Sequence, residues 1–146
     1  MSKIIMLVAE QRGTIMTIEE RAEEGAALKA KGVCNCTQAV LRVFQDKTGL
    51  DEDAMTKISA GFAAGMGGLE GTCGALIGSV ITAGYITEGK GTPRISKSIV
   101  SKFKELSGST ICRELKTPVN GKTLCECPQC VYNAIIALGE YLEIDS

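Results

Sequence analysis

Apolar positions along this chain recur at helical spacing, and nowhere do they alternate with polar ones long enough to make a strand. Thr17-Ile18-Glu19-Glu20 fits a capping box, in which the Thr hydroxyl and the Glu carboxylate each accept a backbone N–H at a helix start. The helix it opens runs through Lys31 and stops at Gly32. A second begins at Asn35 or Cys36, carries Ala39, Val40, Val43 and Phe44 on one face, and ends at Gly49. Asp51 caps a third, bearing Met55, Ile58, Phe62 and Ala63. A fourth spans Cys73 to Thr87 without one charged residue. Thr92 and Pro93 open a fifth as N-cap and first helical residue. Its apolar stripe is Ile95, Ile99, Val100, Phe103 and Leu106. Cys112-Arg113-Glu114-Leu115 makes a short turn of helix, and Thr117 to Leu124 is a loop with Pro and Asn-Gly. The last helix starts at Pro128 and places Val131, Ile135, Leu138 and Leu142 on one face. The pattern predicts an all-α, single-domain bundle of five to six helices around a buried apolar central helix, the fourth. That helix has about fifteen uncharged residues where spanning a bilayer takes roughly twenty, so no membrane insertion is expected.

A chain of 146 residues makes one domain and buries enough surface for a core without disulfide staples. Net charge is -1, with three Tyr, three Phe and no Trp, which leaves neither a basic patch nor a stacking platform for nucleic acid. The opening MSKIIMLVAEQRG has a short apolar run followed by charges, and shows no cleavable signal. The helical, cysteine-rich domain is expected over residues 16 to 146. Residues 1 to 15 are expected to be a disordered extension, or not protein at all. Gln11-Arg12-Gly13 can be encoded by a purine-rich stretch of the kind that binds ribosomes, upstream of a true start at Met16.

Cysteine changes the picture most. There are seven, and no histidine. In a reducing cytoplasm, the compartment expected here, multiple cysteines serve metal or redox chemistry more often than structural disulfides. An odd number also leaves at least one thiol over. Cys36, Cys73, Cys112 and Cys127 fall in four separate segments, each at a predicted helix start, where the helix dipole favours the thiolate. Without histidine a transition-metal site must rest on thiolate sulfur, and a Ser-His hydrolase is excluded. There is no Cys-x-x-Cys-His for covalent haem, and the glycine run lacks the Gly-Lys-Ser/Thr ending of a P-loop. That run, GMGGLEGTCG over residues 65 to 74, holds five glycines in ten and lets backbone turn tightly or approach something closely. Glu19, Glu20, Glu23 and Glu24 read as a solvated helix face. Arg113 and Lys116 lie beside Cys112, where they would offset a thiolate or simply sit at the surface.

Taken in order, Asn35-Cys36-Thr37-Gln38-Ala39-Val40, Gly65-Met66-Gly67-Gly68, Thr72 to Gly78, Cys112-Arg113-Glu114-Leu115 and Cys127-Pro128 leading into Val131 resemble the C-GCAxxG-C-C family, which carries a redox label. The likeness covers nearly the whole chain from about residue 18. The central motif departs from the label, reading Cys73-Gly74-Ala75-x-x-Gly78. The resemblance implies a helical domain with four hallmark cysteines, which map by position onto Cys36, Cys73, Cys112 and Cys127. Cys125 and Cys130 compete for the last place.

The expected function is electron transfer by an iron–sulfur cluster, of [2Fe–2S] type, on Cys36, Cys73, Cys112 and Cys127. Further candidate ligands are Cys34, Cys125 and Cys130. Four thiolates suit such a cluster, and helix N-termini stabilise its negative charge. Backbone N–H groups of Gly67, Gly68 and Gly74 are expected beside the cluster sulfurs. Two alternatives stay open. One is a thiol–disulfide protein using Cys127/Cys130, a C-P-x-C at a helix start, or Cys34/Cys36. The other is a structural zinc on two cysteine pairs. The expected partner is a redox protein of unidentified nature, with a homodimer left open.

Overall fold

The computed structural model describes residues 16–142, and the expectation for residues 1 to 15 lies outside the described residues. The helices are α1 (Ile18–Ala30), α2 (Cys36–Val43), α3 (Gln45–Thr48), α4 (Glu52–Ser59), α5 (Gly74–Ile86), α6 (Thr92–Ser107), α7 (Cys112–Lys116) and α8 (Cys127–Leu142). The fold is all-α, as the apolar spacing predicts. Among the described residues β pairing is confined to two isolated bridges, Thr72 with Ile111 and Val119 with Lys122.

Local chemistry sets most of the boundaries. Thr17 Oγ1 accepts the Glu20 N–H at 3.1 Å and Glu20 Oε1 accepts the Thr17 N–H at 2.9 Å, so both arms of the capping box form. Asn35 Oδ1 accepts the Gln38 N–H at 2.8 Å and Asp51 Oδ1 the Ala54 N–H at 2.7 Å, opening α2 and α4. Gly91 flanks the start of α6 in place of Thr92, whose hydroxyl instead meets that of Thr87 at 2.7 Å.

The predicted second helix does not reach Gly49 unbroken. It breaks at Phe44, with φ -114 and ψ 18, because α1 intervenes. Buried Arg21 donates to the Val43 carbonyl, which a continuous helix would pair with Lys47 N–H; that N–H turns to Phe44 O at 2.9 Å. The same guanidinium grips the Asp46 carboxylate at 2.7 and 2.8 Å and lies 4.9 Å from the Phe44 ring centroid. The predicted third helix also ends early, at Ser59. Ala60–Phe62 form a 3-10 turn before the chain turns left-handed at Ala64 and Gly65.

The core lies where α8 packs against α1, α5, α6 and α2, and α5 packs against α2. From α8 it takes Val131, Ala134, Ile135, Ala137 and Leu138. On α6 it takes Ile99 and Phe103, whereas Val100 and Leu106 are exposed, so the stripe is narrower than predicted. Helix α5 is central but not the most enclosed element. It buries Gly74, Ala75, Leu76, Gly78, Ser79, Thr82 and Ala83, leaves Ile77, Val80 and Ile81 half-buried, and exposes Tyr85. Continuous burial belongs to α2, over Thr37 to Val43. The uncharged run of α5 reflects small residues at a close crossing more than depth. A Cβ on Gly78 would stand 2.8 Å from the Thr37 carbonyl, so the α2 backbone sits where a side chain would be. Among the described residues no helix is long and apolar enough to cross a membrane.

Candidate thiol site

Four helix starts meet at one place. Cys36 opens α2, Cys73 is the N-cap of α5, Cys112 opens α7 and Cys127 opens α8. Backbone pairing between the glycine run and the stretch before α7 brings two of them together. The Cys73 N–H donates to Thr110 O at 2.8 Å, Cys112 N–H to Gly71 O at 3.0 Å and Arg113 N–H to Leu69 O at 2.7 Å. The segment that carries Cys125, Cys127 and Cys130 is tied to α7 through the Cys125 N–H, 3.2 Å from Leu115 O.

The sulfurs fall into donor–acceptor sets. A hydrogen bond from Cys36 holds the Cys127 thiol well below its ordinary range, at about 5, with help from Lys116 against the cost of burial. The same bond, and burial, push Cys36 upward. A hydrogen bond from Cys130 likewise lowers Cys73 to about 6; the N–H groups of Leu76 and Ala75 and the charge of Lys116 add to it. Cys73 makes no regular side-chain cap, so these amides act as the positive end of α5 facing a sulfur. Cys125 is lowered to about 7, first by Cys130 and then by Ser107. Cys130 is raised by its bonds to Cys125 and Cys73. Within each set the environment favours negative charge on Cys127 and Cys73 and the neutral thiol on Cys36 and Cys130.

Lys116 supplies the countercharge. Its Nζ lies 3.5 Å from Cys130 Sγ. Burial works against its charge, but Cys130, Cys73 and Cys127 outweigh that and raise its pKa. Lys116 sits four residues after Cys112, on the same face of α7. Arg113 faces outward, toward Glu70 and the Gly68 carbonyl. Of the two cations marked in the sequence, only Lys116 joins the sulfurs.

Cys112 is buried, and burial raises its thiol; Lys116, Cys73 and Cys127 also act on it, but it has no thiol partner. Cys34 stands apart, raised by burial and with Arg42 and Lys29 as its charged neighbours. The hydrogen bonds that act on these thiols match Cys127 with Cys36, and Cys130 with Cys73 and Cys125. All seven cysteines are free thiols.

The glycine run meets the site through other residues than expected. Gly74 packs on Cys36, whose Cβ would lie 3.7 Å from an added Cβ. Gly67 and Gly68 are exposed and open. Gly65 faces the site instead. Its φ is +60, and an added Cβ would stand 2.5 Å from Cys112 Cβ and 3.2 Å from its sulfur. Ala64, Met66 and Leu69 share the left-handed region, a strained path for residues with side chains. Two buried polar residues, Ser107 and Asn133, also went unforeseen. Asn133 Nδ2 donates to Ser107 Oγ at 2.9 Å and lies 3.8 Å from Cys125 Sγ.

Residues 34–141 match the family model described as "Putative redox-active protein (C_GCAxxG_C_C)". The chain belongs to this family. The match runs from Cys34 to Tyr141 and so contains every cysteine of the C-GCAxxG-C-C chain described here. No curated protein and no solved structure matches it. Membership establishes a cysteine-rich protein of a family described as redox-active, and the choice between bound metal and thiol exchange rests on the geometry. A [2Fe–2S] unit needs four ligands placed around a common centre. Among the described residues no three His, Cys, Asp or Glu side chains are disposed to hold a metal ion.

Proposed function

We propose that this protein is a thiol–disulfide redox protein with an outer couple, Cys127 and Cys36, and an inner couple, Cys73 and Cys130. The observation that carries the reading is the gathering of cysteines from four helix starts around Lys116, whose Nζ lies 3.5 Å from Cys130 Sγ, with Cys127 and Cys73 lowered by the thiols beside them. Cys127 and Cys36 are half-buried and reach solvent, whereas Cys73 and Cys130 are enclosed. In the first step the Cys127 thiolate attacks one sulfur of a substrate disulfide, and the far sulfur leaves as a thiolate. Cys36 then attacks the mixed disulfide, its proton passing to the departing substrate sulfur. The products are a Cys36–Cys127 disulfide, one substrate thiol and one substrate thiolate, and two electrons have passed to the substrate. A dithiol partner protein in the cytoplasm returns them. Lys116 holds negative charge on whichever sulfur is attacking or leaving.

A second reading keeps one observation on its side. Cys112 belongs to neither couple yet lies in the field of Cys73 and Cys127, as a fourth cluster ligand would. Anaerobic purification with iron, acid-labile sulfide and a visible spectrum separates the two. The thiol reading expects a colourless protein without stoichiometric iron. A brown protein whose iron and sulfide disappear in Cys73→Ser would replace it with the cluster.

A further inference from the structure

Residues 65–71 close on themselves and sit on a sulfur. The Gly71 N–H donates to Gly65 O at 3.0 Å, and a Cβ on Gly71 would stand 2.8 Å from that same oxygen. Only glycine at this neck lets the loop draw so tight. Gly65 lies over buried Cys112, and a Cβ on it would stand 3.2 Å from Cys112 Sγ. Three ties hold the loop down. The Cys112 N–H donates to Gly71 O at 3.0 Å, the Arg113 N–H to Leu69 O at 2.7 Å, and the Arg113 guanidinium to Gly68 O at 3.1 Å. The backbone works against these ties. Ala64, Met66 and Leu69 have φ of 56, 63 and 65, in the left-handed region where a Cβ crowds its own chain. The outer side of the loop is bare: Ala64, Met66, Gly67, Gly68, Leu69 and Glu70 are exposed, so little packing offsets the strain.

We infer from this backbone geometry, independently of which sulfurs pair, that the loop is a hinged cover over Cys112. Arg113 latches it, the left-handed residues load it, and it opens as a unit while the helices stay packed. Strain at Ala64, Met66 and Leu69 exists only in the closed loop and is released on opening, so it raises the population of the open form. The three ties oppose it. Opening breaks few bonds and bares little apolar core, which places the loop at the low-stability end of the molecule. Closed, the cover keeps reagents from a thiol that belongs to neither couple. Open, it presents that thiol without unfolding the bundle. Access to Cys112 is therefore set by the loop and not by the depth of the helix that carries it.

Amide hydrogen exchange on the reduced full chain, followed residue by residue at rising sub-denaturing urea, tests this. The Gly71, Cys112 and Arg113 amides should share one opening equilibrium that urea hardly moves. The Ile135 and Leu138 amides, in the core of α8, should exchange far more slowly and respond steeply to urea. Ala64→Gly relieves strain at an exposed position and should lower the open population about fivefold. Arg113→Ala cuts the guanidinium tie and should raise it about fivefold. Alkylation of Cys112 should follow both changes. It is read from brief iodoacetamide pulses that label each chain at most once, mapped by peptide mass. Exchange of the three loop amides only in step with α8, at the same urea dependence, overturns the cover, because Cys112 would then be reached by global unfolding alone. An unchanged open population in Ala64→Gly overturns strain as the load, and an unchanged one in Arg113→Ala overturns the latch. Alkylation of Cys112 that ignores both variants while the amides respond overturns the loop as the gate to the sulfur.

Discussion

The two couples use the same atoms in different surroundings. Cys127 and Cys36 sit at helix starts and are half-buried, while Cys73 and Cys130 are 1% and 0% exposed. In both, one thiol is lowered by accepting a hydrogen bond from the other, and the charge of Lys116, whose Nζ lies 3.5 Å from Cys130 Sγ, lowers both acceptors further. What differs is access. The outer couple reaches solvent, and the inner one is enclosed. The comparison teaches that a low thiol pKa marks where negative charge is tolerated, and exposure decides which of those places does bimolecular chemistry.

The largest expected effect strikes the left-handed loop packed on Cys112. Gly65→Ala adds a Cβ 2.5 Å from Cys112 Cβ at φ +60, whereas Gly67→Ala adds one into open space at φ +91. Overpacking and backbone strain together should cost about 3 kcal/mol at Gly65, against about 1 kcal/mol at Gly67, as read from denaturant midpoints. Equal losses would show that the strained loop does not support the site.

Lys116→Met removes the charge the two couples share. Loss of a close opposite charge should raise the pKa of Cys127 and of Cys73 by about 1–2 units. Iodoacetamide kinetics on Cys127, and ultraviolet thiolate absorbance for both, would register it. A shift confined to Cys127 would break the symmetry drawn here, because Lys116 would then serve the outer couple alone.

The pH profile sharpens the difference in access. Cys127 is lowered to about 5, so its thiolate fraction climbs as pH rises through that value and is nearly complete by pH 7. Alkylation of Cys127 should therefore reach its plateau below neutrality and fall as pH drops through about 5. Cys34, raised by burial, should react only well into the alkaline range. Cys73 should stay unmodified in the native protein at every pH where Cys127 reacts, since burial shields it. Alkylation of Cys73 at a rate matching Cys127 would erase the distinction between inner and outer.

The smallest effect belongs to the inner set alone. Asn133→Ala removes the donors to Ser107 and Cys125, and should cost about 1 kcal/mol of stability and raise the Cys125 pKa without moving that of Cys127. Thiolate titration of both cysteines checks it, and a matched shift at Cys127 would mean that the two couples are not separable.

The helix starts were legible because their chemistry is local. A capping Thr, Asn or Asp at the right spacing declares itself, and the four cysteines at helix openings needed no tertiary information. Lys116 was half legible, four residues from Cys112 on a short helix. The pairing of sulfurs was not, because Cys36 meets Cys127 only through the packing of α2 against α8. Nor was the choice of Gly65 over Gly67 and Gly68. It depends on a left-handed path through Ala64, Met66 and Leu69, residues whose types disfavour it. The break at Phe44 was hidden for a similar reason: it is imposed by Arg21, from the preceding helix. Sequence adjacency also misled, since Cys127/Cys130 and Cys34/Cys36 look like pairs on paper and Cys34 lies outside the sulfur cluster.

The most direct test is to oxidise the reduced full chain with two two-electron equivalents and map the disulfides by mass. The account predicts bridges of Cys36 to Cys127 and of Cys130 to Cys73 or Cys125, with Cys34 and Cys112 free. Bridges of Cys127 to Cys130 or of Cys34 to Cys36 as the main products would contradict it.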